Sequence, residues 1–217
     1  MRFSDHIPPF GAPPREFAQE RARRTYEALV GAALEVFTEK GYDSTQTPDI
    51  SAAAGVSVGT FYRYFSDKRE IFLEVVRREL AQSHEEVMAQ LTAERFAGKG
   101  RRAAIDGVLA ILLENVNRHP GRQRLFLEMA LRDEKVAELE QAFEREGRER
   151  LAQLIATICP KELVADPDAT AYVIHTAVVE CAIHLVGAKG RPPVSQERGM
   201  EALAELIYRA LFGIERE

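Results

Sequence analysis

Apolar residues recur along this chain at the three- and four-residue spacing that places them on one face of an α-helix. In the segment Arg21 to Lys40 they form a single stripe, which consists of Tyr26, Leu29, Val30, Ala33, Leu34 and Phe37. Gly41 follows, where the end of a helix favours a left-handed residue. The pattern predicts a first helix over residues 21–40.

Two short helices are predicted next. Thr45 or its neighbour caps a second helix with Pro48 in its first turn, and this helix must end by Gly55. Ser57 is the predicted N-cap of a third helix. A fourth helix starts near Ser66, and its apolar pattern predicts a long course.

The fourth apolar stripe continues to about Ala97, where Gly98 and Gly100 break it. Five further amphipathic segments follow, most of them separated by proline or glycine. They cover residues 105–116, 125–131, 136–158, 169–188 and 196–212. No strand pattern or internal repeat is present, so we predict an all-α protein of about nine helices.

Composition favours a soluble globular protein. Hydrophobic residues make up 46% and charged residues 29% of the 217 positions. The longest apolar run, Ala169 to Val179, is much shorter than the roughly 20 residues of a membrane span. Residues 1–20 are rich in proline and lack a signal-peptide pattern, so we expect a flexible arm on a cytoplasmic protein.

Enzyme and metal signatures are weak. Cys159 and Cys181 form no CxxC and are interpreted as small buried hydrophobes. His175, Cys181 and His184 could suggest zinc, but their spacing spreads His175 and Cys181 over different sides of one helix. No nucleophile with a histidine and acid partner, no phosphate loop and no HExxH occurs. We therefore expect no catalysis, cofactor or metal.

Residues 47–65 have the spacing of a helix-turn-helix, with the turn at Ala54 to Val56. Small residues would let its two helices approach closely, and apolar residues would form the wedge between them. The small residues are Ser51, Ala52 and Ala53, and the wedge consists of Ile50, Val56, Phe61 and Phe65. Hydroxyls and cations remain on the outer face, where they suit phosphate oxygens. The alternative is a packed aromatic core with a solvated charged surface.

The net charge of −5 does not exclude DNA, because phosphates are contacted over a footprint of a few residues. Two groups of cations lie near the motif. They are Arg21, Arg23 and Arg24 before the first helix pattern, and Arg63, Lys68 and Arg69 after the turn.

The run "GYDSTQTPDISAAAGVSVGTFYRYFSDKREIF", Gly41 to Phe72, resembles the N-terminal signature of the tetracycline-repressor (TetR) family. The resemblance covers about Arg21 to Ala81. It implies a DNA-binding domain over residues 21–81, and a ligand-binding and dimerisation domain over residues 82–217 that the fourth helix connects to it. It also implies a homodimer.

The resemblance further implies roles for single residues. Thr45 and Gln46 would contact the DNA backbone, and Tyr64 and Lys68 would bind phosphate. The residues facing the major groove would be Ser57, Val58, Gly59, Thr60, Tyr62 and Arg63. Thr47 departs from the family pattern, which is usually apolar at this position, and Val58 stands where a longer polar side chain often reads a base.

The segment Ala169 to Ala188 is apolar around more than one face, so we expect burial on two sides. We predict that it packs with the last helix against the same pair of a second subunit. Two-fold symmetry would then present two reading helices to successive major grooves, about 34–36 Å apart.

An effector pocket is predicted among polar or adaptable residues beside apolar stripes. The candidates are Glu114, Asn115, Phe126, Met129, His175 and Glu180. Each could instead be a surface or interface residue.

These observations favour a ligand-responsive dimeric repressor that binds a palindromic operator and is released by a small-molecule effector. Two alternatives remain at this stage. One is a DNA-binding regulator with a vestigial pocket, and the other is a helical ligand-binding or scaffold protein that has kept the fold without DNA regulation.

Overall fold

The structure is a computed structural model that describes residues 19–118 and 120–213, apart from the side chains of Lys99 and Pro120. Over these residues the backbone forms nine α-helices and no β-strand. They are α1 (Glu20–Lys40), α2 (Thr47–Ala53), α3 (Val58–Phe61), α4 (Lys68–Met88), α5 (Arg101–Arg118), α6 (Pro120–Arg132), α7 (Glu134–Ile158), α8 (Pro167–Leu185) and α9 (Gln196–Phe212). The all-α prediction is confirmed, while most of the predicted N-terminal arm, residues 1–18, lies outside the described residues.

The end of α4 differs from the prediction. The helix stops at Met88 rather than near Ala97, and turns follow. Leu91 and Phe96 are nevertheless buried, with 7% and 5% of their surface exposed. The apolar pattern therefore continued past the helix because these residues reach the core from a turn-rich segment.

The chain divides into two compact units. The first contains the residues up to Gln82 together with Glu128–Leu139, and the second contains Ser83–Leu127 and Glu140 onwards. The helices α4, α6 and α7 each contribute residues to both units. The segment Glu128–Leu139 was not part of the predicted DNA-binding domain.

An aromatic core holds the first unit together. The Phe37 and Phe72 rings meet edge to face at 5.0 Å, and the Tyr26 and Phe65 rings stack at 5.1 Å. All four side chains are buried. Aromatic pairs of this kind add to the stabilisation that burial itself provides.

A buried carboxylate also joins α4 to α1. Glu74 accepts hydrogen bonds from Arg77 and Arg78 of its own helix, and Arg78 also pairs with Glu27 of α1. Burial alone would raise the pKa of Glu74, but the two arginines hold it below its usual range. The tyrosine Tyr26 lies beneath Arg78, whose guanidinium is 5.1 Å from the ring centre.

The second unit is built on packing among α5, α8 and α9. Its apolar core includes Ile105, Ile155 and Ile174, and the half-buried Cys159 and Cys181 pack against it. The α8 and α9 helices come close at Gly199, where a Cβ would lie 2.6 Å from Leu185 Cδ2. In the described part of the chain, no helix is long and apolar enough to cross a membrane.

Candidate nucleic-acid interface

The position of α2 is fixed at its first turn. Asp49 accepts the Gln46 backbone N–H at 2.9 Å and pairs with Lys40, at the end of α1, at 2.8 Å. These contacts hold the pKa of Asp49 below its usual range. Pro48 adds a φ angle that suits the start of a helix.

A tight turn separates α2 from α3. Gly55 has a φ of +67°, which glycine adopts without steric cost, and the Val56 N–H donates to Ser51 O at 3.0 Å. Ser57 then caps α3, because its Oγ accepts the Thr60 N–H. The predicted helix-turn-helix is therefore present in the first unit.

The two sides of α3 and the following turn differ sharply. Phe61 and Phe65 face the core and are 0% and 3% exposed. On the other side Val58 is 39% and Tyr62 54% exposed, and Arg63 is exposed as well. The α3 segment therefore buries its aromatic side and exposes a small surface with apolar, phenolic and cationic side chains.

Most of the predicted packing around the turn is present. Ile50, Phe61 and Phe65 are buried as expected, whereas Val56 is only half-buried. Ser51 is buried, but Ala52 and Ala53 are exposed. Small size at 52 and 53 is therefore not what lets the helices approach.

Hydroxyl groups pair with each other on this surface. Ser57 Oγ and Thr60 Oγ1 are 2.9 Å apart, and Thr47 Oγ1 and Tyr62 Oη are 3.1 Å apart. The second pair joins α2 to the end of α3. Tyr64 is half-buried and lies 6.2 Å from Tyr26, measured between ring centres.

Thr45 does not suit its predicted role at the DNA backbone. Its side chain is fully buried, and its hydroxyl donates to the Gly41 carbonyl oxygen at 2.7 Å. The threonine closes the connection between α1 and α2 instead. Its neighbour Gln46 is exposed and remains available.

Lys68 also has a different role from the predicted phosphate contact. Its Nζ donates to the carbonyl oxygens of Tyr42, Asp43 and Thr45 at 2.9, 3.2 and 3.0 Å. An ammonium group has three donors, so these bonds use all of them. Lys68 Nζ also lies 4.6 Å from the centre of the Tyr42 ring, and it ties α4 to the segment before α2.

The cations near the motif differ in whether they form ion pairs within the protein. Arg23 and Arg24 pair with Glu20, and Arg69 pairs with Asp133. Arg63 makes no ion pair with any residue that the structure describes. It is the one cation among the predicted base-contact residues, and its charge is therefore available to DNA.

The six predicted effector residues are divided between the two units. Glu114 and Glu180 lie on the surface with their side chains 67% and 48% exposed, and they pair with Arg118 and Lys189. Both carboxylates therefore already have a cationic partner on the surface. Met129 is buried in the first unit, whereas the other five belong to the second.

Phe126, Asn115 and His175 remain inside the second unit. Asn115 donates to Ser83 Oγ at 3.3 Å, while its own Oδ1 is buried without a hydrogen-bond partner among the described residues. An unpaired buried acceptor is costly and suits a site that receives a donor. Phe126 is 5% exposed.

Two histidines meet over Gly147 in the same unit. A Cβ at Gly147 would lie 3.2 Å from His175 Nε2 and 3.8 Å from His84 Cε1. Burial, with Arg148 and His84 nearby, lowers the pKa of His175 to about 4. Burial also lowers the pKa of His84, although Glu146 lies 3.6 Å away and opposes this. Both imidazoles are therefore neutral near pH 7.

A cleft of about 360 Å³ opens beside these groups in the second unit. It is lined by Met88, Glu146, Glu149, Arg150 and Gln153, so its wall is mainly polar. Glu146 links this cleft to His84. Over residues 19–118 and 120–213, no three His, Cys, Asp or Glu side chains are grouped closely enough to hold a metal ion.

Apolar side chains are exposed on α8 and α9. Tyr172 and Val173 are 58% and 62% exposed, and Leu206 is 67% exposed. Other residues of the predicted interface, such as Leu203 and Ile207, are used by the core of the protomer itself.

Comparison with known proteins gives matches in both units. Residues 29–75 match the family "Bacterial regulatory proteins, tetR family", and residues 102–211 match "Tetracyclin repressor-like, C-terminal domain". The second match alone covers half of the chain.

Curated relatives share parts of the sequence. The fatty acid metabolism regulator protein of Bacillus subtilis is 32% identical over 86 residues, which are 40% of this chain and 44% of that protein. The transcriptional regulator AcuR of Cereibacter sphaeroides is 33% identical over 122 residues, or 56% of this chain and 43% of that protein. The chain thus spans about half of the length of these relatives or less.

Solved structures share the fold. A Mesorhizobium loti protein assigned to the TetR family of transcriptional regulators has a TM-score of 0.73 at 22% identity, over 88% of this chain and 98% of that one. A TetR-like transcriptional regulator from Rhodococcus sp. RHA1 has a TM-score of 0.62, also at 22% identity, over 88% and 97%. Together with the helix-turn-helix geometry and the two family matches, these likenesses lead to one conclusion: the chain belongs to the TetR family of bacterial transcriptional regulators.

Proposed function

We propose that this regulator is a dimeric repressor that binds a palindromic operator through α3 and releases it when a small molecule binds in the second unit. The observation that carries the proposal is the two-sided α3 segment. Phe61 and Phe65 anchor it, while Val58, Tyr62 and Arg63 point away from the core. Such a surface is small enough to enter a major groove.

Arg63 is the main candidate for direct readout. An arginine can donate two hydrogen bonds to one guanine, and Arg63 has no competing ion pair with a described residue. Val58 can add an apolar contact to a thymine methyl group. Ser57, Gly59 and Thr60 complete the proposed surface, with Gln46 and Tyr64 at its edges.

Dimerisation through α8 and α9 would cover the exposed Tyr172, Val173 and Leu206. The two helices pack against each other within one subunit, so a second copy would complete a four-helix interface. The resulting two-fold axis doubles the DNA-reading surface and accounts for a palindromic operator.

The proposed effector site lies at the buried polar groups of the second unit. Asn115 offers an unpaired acceptor, and the neutral His84 and His175 can each donate and accept. These groups suit an uncharged polar ligand better than a strongly acidic one, because neither imidazole carries charge near pH 7.

The test begins with selection of duplexes from a random-sequence library by the purified wild-type chain. We expect enrichment of an inverted repeat and a shifted band that Arg63→Ala weakens at least about tenfold. A reporter placed behind the selected site should be less active when the protein is present. Failure to enrich any duplex, even at low salt, would overturn the proposal.

The effector is sought by a melting-temperature screen of small polar molecules. A true effector should raise the melting temperature and weaken binding to the selected duplex. Asn115→Leu should abolish both effects while leaving DNA affinity without effector unchanged.

A further inference from the structure

Thr47 and Tyr62 form a hydroxyl pair that bridges α2 and α3, the two helices of the helix-turn-helix. Thr47 is the first residue of α2, Tyr62 is the C-cap of α3, and their side-chain oxygens are 3.1 Å apart. The Tyr62 ring touches Phe61 edge to face at 5.3 Å but is otherwise 54% exposed. The bond to Thr47 therefore restrains the far end of a side chain that burial does not hold.

The Thr47 end of this bond sits on a rigid frame. The backbone N–H of Gln46 and the Lys40 ammonium both hold Asp49, and the Thr47 carbonyl accepts the Ser51 hydroxyl at 2.9 Å. Thr47 can therefore act as a fixed anchor for the phenol.

The pair keeps one donor available, whichever way its bond runs. Each hydroxyl has a single proton, so one of the two donates to its partner and the other O–H can still point outward. Accepting or donating one hydrogen bond also polarises a hydroxyl for the next. A phosphate oxygen only accepts hydrogen bonds, and it is the acceptor that a DNA backbone presents.

We propose that Thr47 is a positioning residue for DNA binding: its hydroxyl donates to the Tyr62 phenol oxygen, so that the phenol O–H is held where it donates to a backbone phosphate oxygen. The inference rests on the proposed function. Thr47 is the first residue of α2 and its side chain is half-buried. Folding does not require a hydroxyl at such a position, so the proposed role in DNA binding is separate from folding.

The experiment measures the affinity of the full chain for a labelled duplex that the wild type has selected from a random library. Thr47→Val keeps the volume of the side chain and removes the hydroxyl, whereas Thr47→Ser keeps the hydroxyl. We expect Thr47→Val and Tyr62→Phe each to weaken binding about 3- to 10-fold, and Thr47→Ser to bind within about twofold of wild type. Melting temperatures should stay close to that of wild type.

The double variant separates positioning from an independent contribution. If Thr47 acts through Tyr62, adding Thr47→Val to Tyr62→Phe causes no further loss. Losses that multiply, a Thr47→Ser variant as weak as Thr47→Val, or a Thr47→Val variant that binds like wild type would each overturn the inference. A wild-type chain that selects no duplex would overturn the proposed function, and this inference with it.

Discussion

Arg69, in the first turn of α4, grips Asp133, which lies between α6 and α7, through two parallel hydrogen bonds. Nη2 is 2.8 Å from Oδ1, and Nε donates to Oδ2. Only 11% of the Asp133 side chain is exposed, and the arginine holds the pKa of this carboxyl below its usual range. The pair joins residues 64 positions apart and secures Glu128–Leu139 within the first unit.

Arg69→Gln should destabilise the protein by about 1–3 kcal/mol, because it leaves a largely buried carboxylate with fewer partners. Urea unfolding followed by circular dichroism measures the change. The matched control is Arg132→Gln, which removes a similar pair of hydrogen bonds to Asp43. The side chains of Arg132 and Asp43 are 46% and 67% exposed. This exposed pair should contribute much less to stability, because water screens it. Equal losses for the two variants would contradict the prediction.

Lys68→Met should lower DNA affinity without changing how that affinity depends on salt. The ammonium stabilises the carbonyl oxygens of Tyr42, Asp43 and Thr45, and so its loss loosens the approach to α2 without removing a phosphate contact. We expect a loss of about 1–3 kcal/mol in unfolding free energy as well.

The slope of log affinity against log salt checks this role for Lys68. A cation that contacts phosphate contributes a slope of about −0.9, so the slope would become shallower by up to about that amount if Lys68 bound phosphate and were replaced by Met. Lys68→Met should leave it as in wild type. A shallower slope for Lys68→Met would instead show that Lys68 contacts phosphate directly, as the sequence suggested.

The helix-turn-helix could be predicted from the sequence because the residues that determine it are close together in the chain. Gly55 is needed for a positive φ, and Ser57 caps the helix that begins one residue later. Pro48 likewise marks the first turn of α2. Each feature depends on neighbours within a few positions, which a single sequence displays directly.

The partners of Lys68 and Arg69 could not be predicted in the same way. Lys68 binds carbonyl oxygens 23–26 residues earlier in the chain, and Arg69 binds a carboxylate 64 residues later. A single sequence shows a cation near a helix start, which fits a phosphate contact equally well. Only the folded chain shows that its own acceptors already occupy these donors.

The effector residues were difficult for a related reason. Glu114 and Glu180 adjoin apolar stripes in sequence, but a residue beside a stripe can lie at its outer edge. His175 lies inward, because Gly147 of α7 leaves room for its ring. The signal that distinguishes these cases is the small residue on a facing helix, and it lies 28 positions away.

Leu206→Glu should convert the proposed dimer into a monomer that remains folded. Leu206 is 67% exposed in the protomer, so a charge there costs little until a second copy covers it. Light scattering after size-exclusion chromatography measures the mass. The control is Leu131→Glu, because Leu131 on α6 is 90% exposed and lies in the other unit. A Leu206→Glu chain that keeps the wild-type mass would contradict the proposed interface.

Glu140 and His175 should give opposite dependences of stability on pH. Burial, with Glu144 nearby, raises the pKa of Glu140 to about 7, whereas the pKa of His175 is lowered to about 4. Between about pH 4.5 and 7 the folded chain keeps a proton on Glu140 that the unfolded chain has lost, so this group makes stability fall as pH rises. Between about pH 4 and 6.5 the unfolded chain holds a proton on His175 that the folded chain lacks, so this group makes stability fall as pH falls.

Single variants separate the two effects. Relative to wild type, Glu140→Gln should gain stability as pH rises from about 4.5 to 7, and His175→Gln should gain stability as pH falls from about 6.5 to 4. Each difference should approach about 1.4 kcal/mol per pH unit where one full proton is exchanged. Urea unfolding at a series of pH values measures these differences, in which groups common to variant and wild type, such as His84 and Glu146, largely cancel. Differences that stay constant across pH would show that both side chains titrate as they do in the unfolded chain.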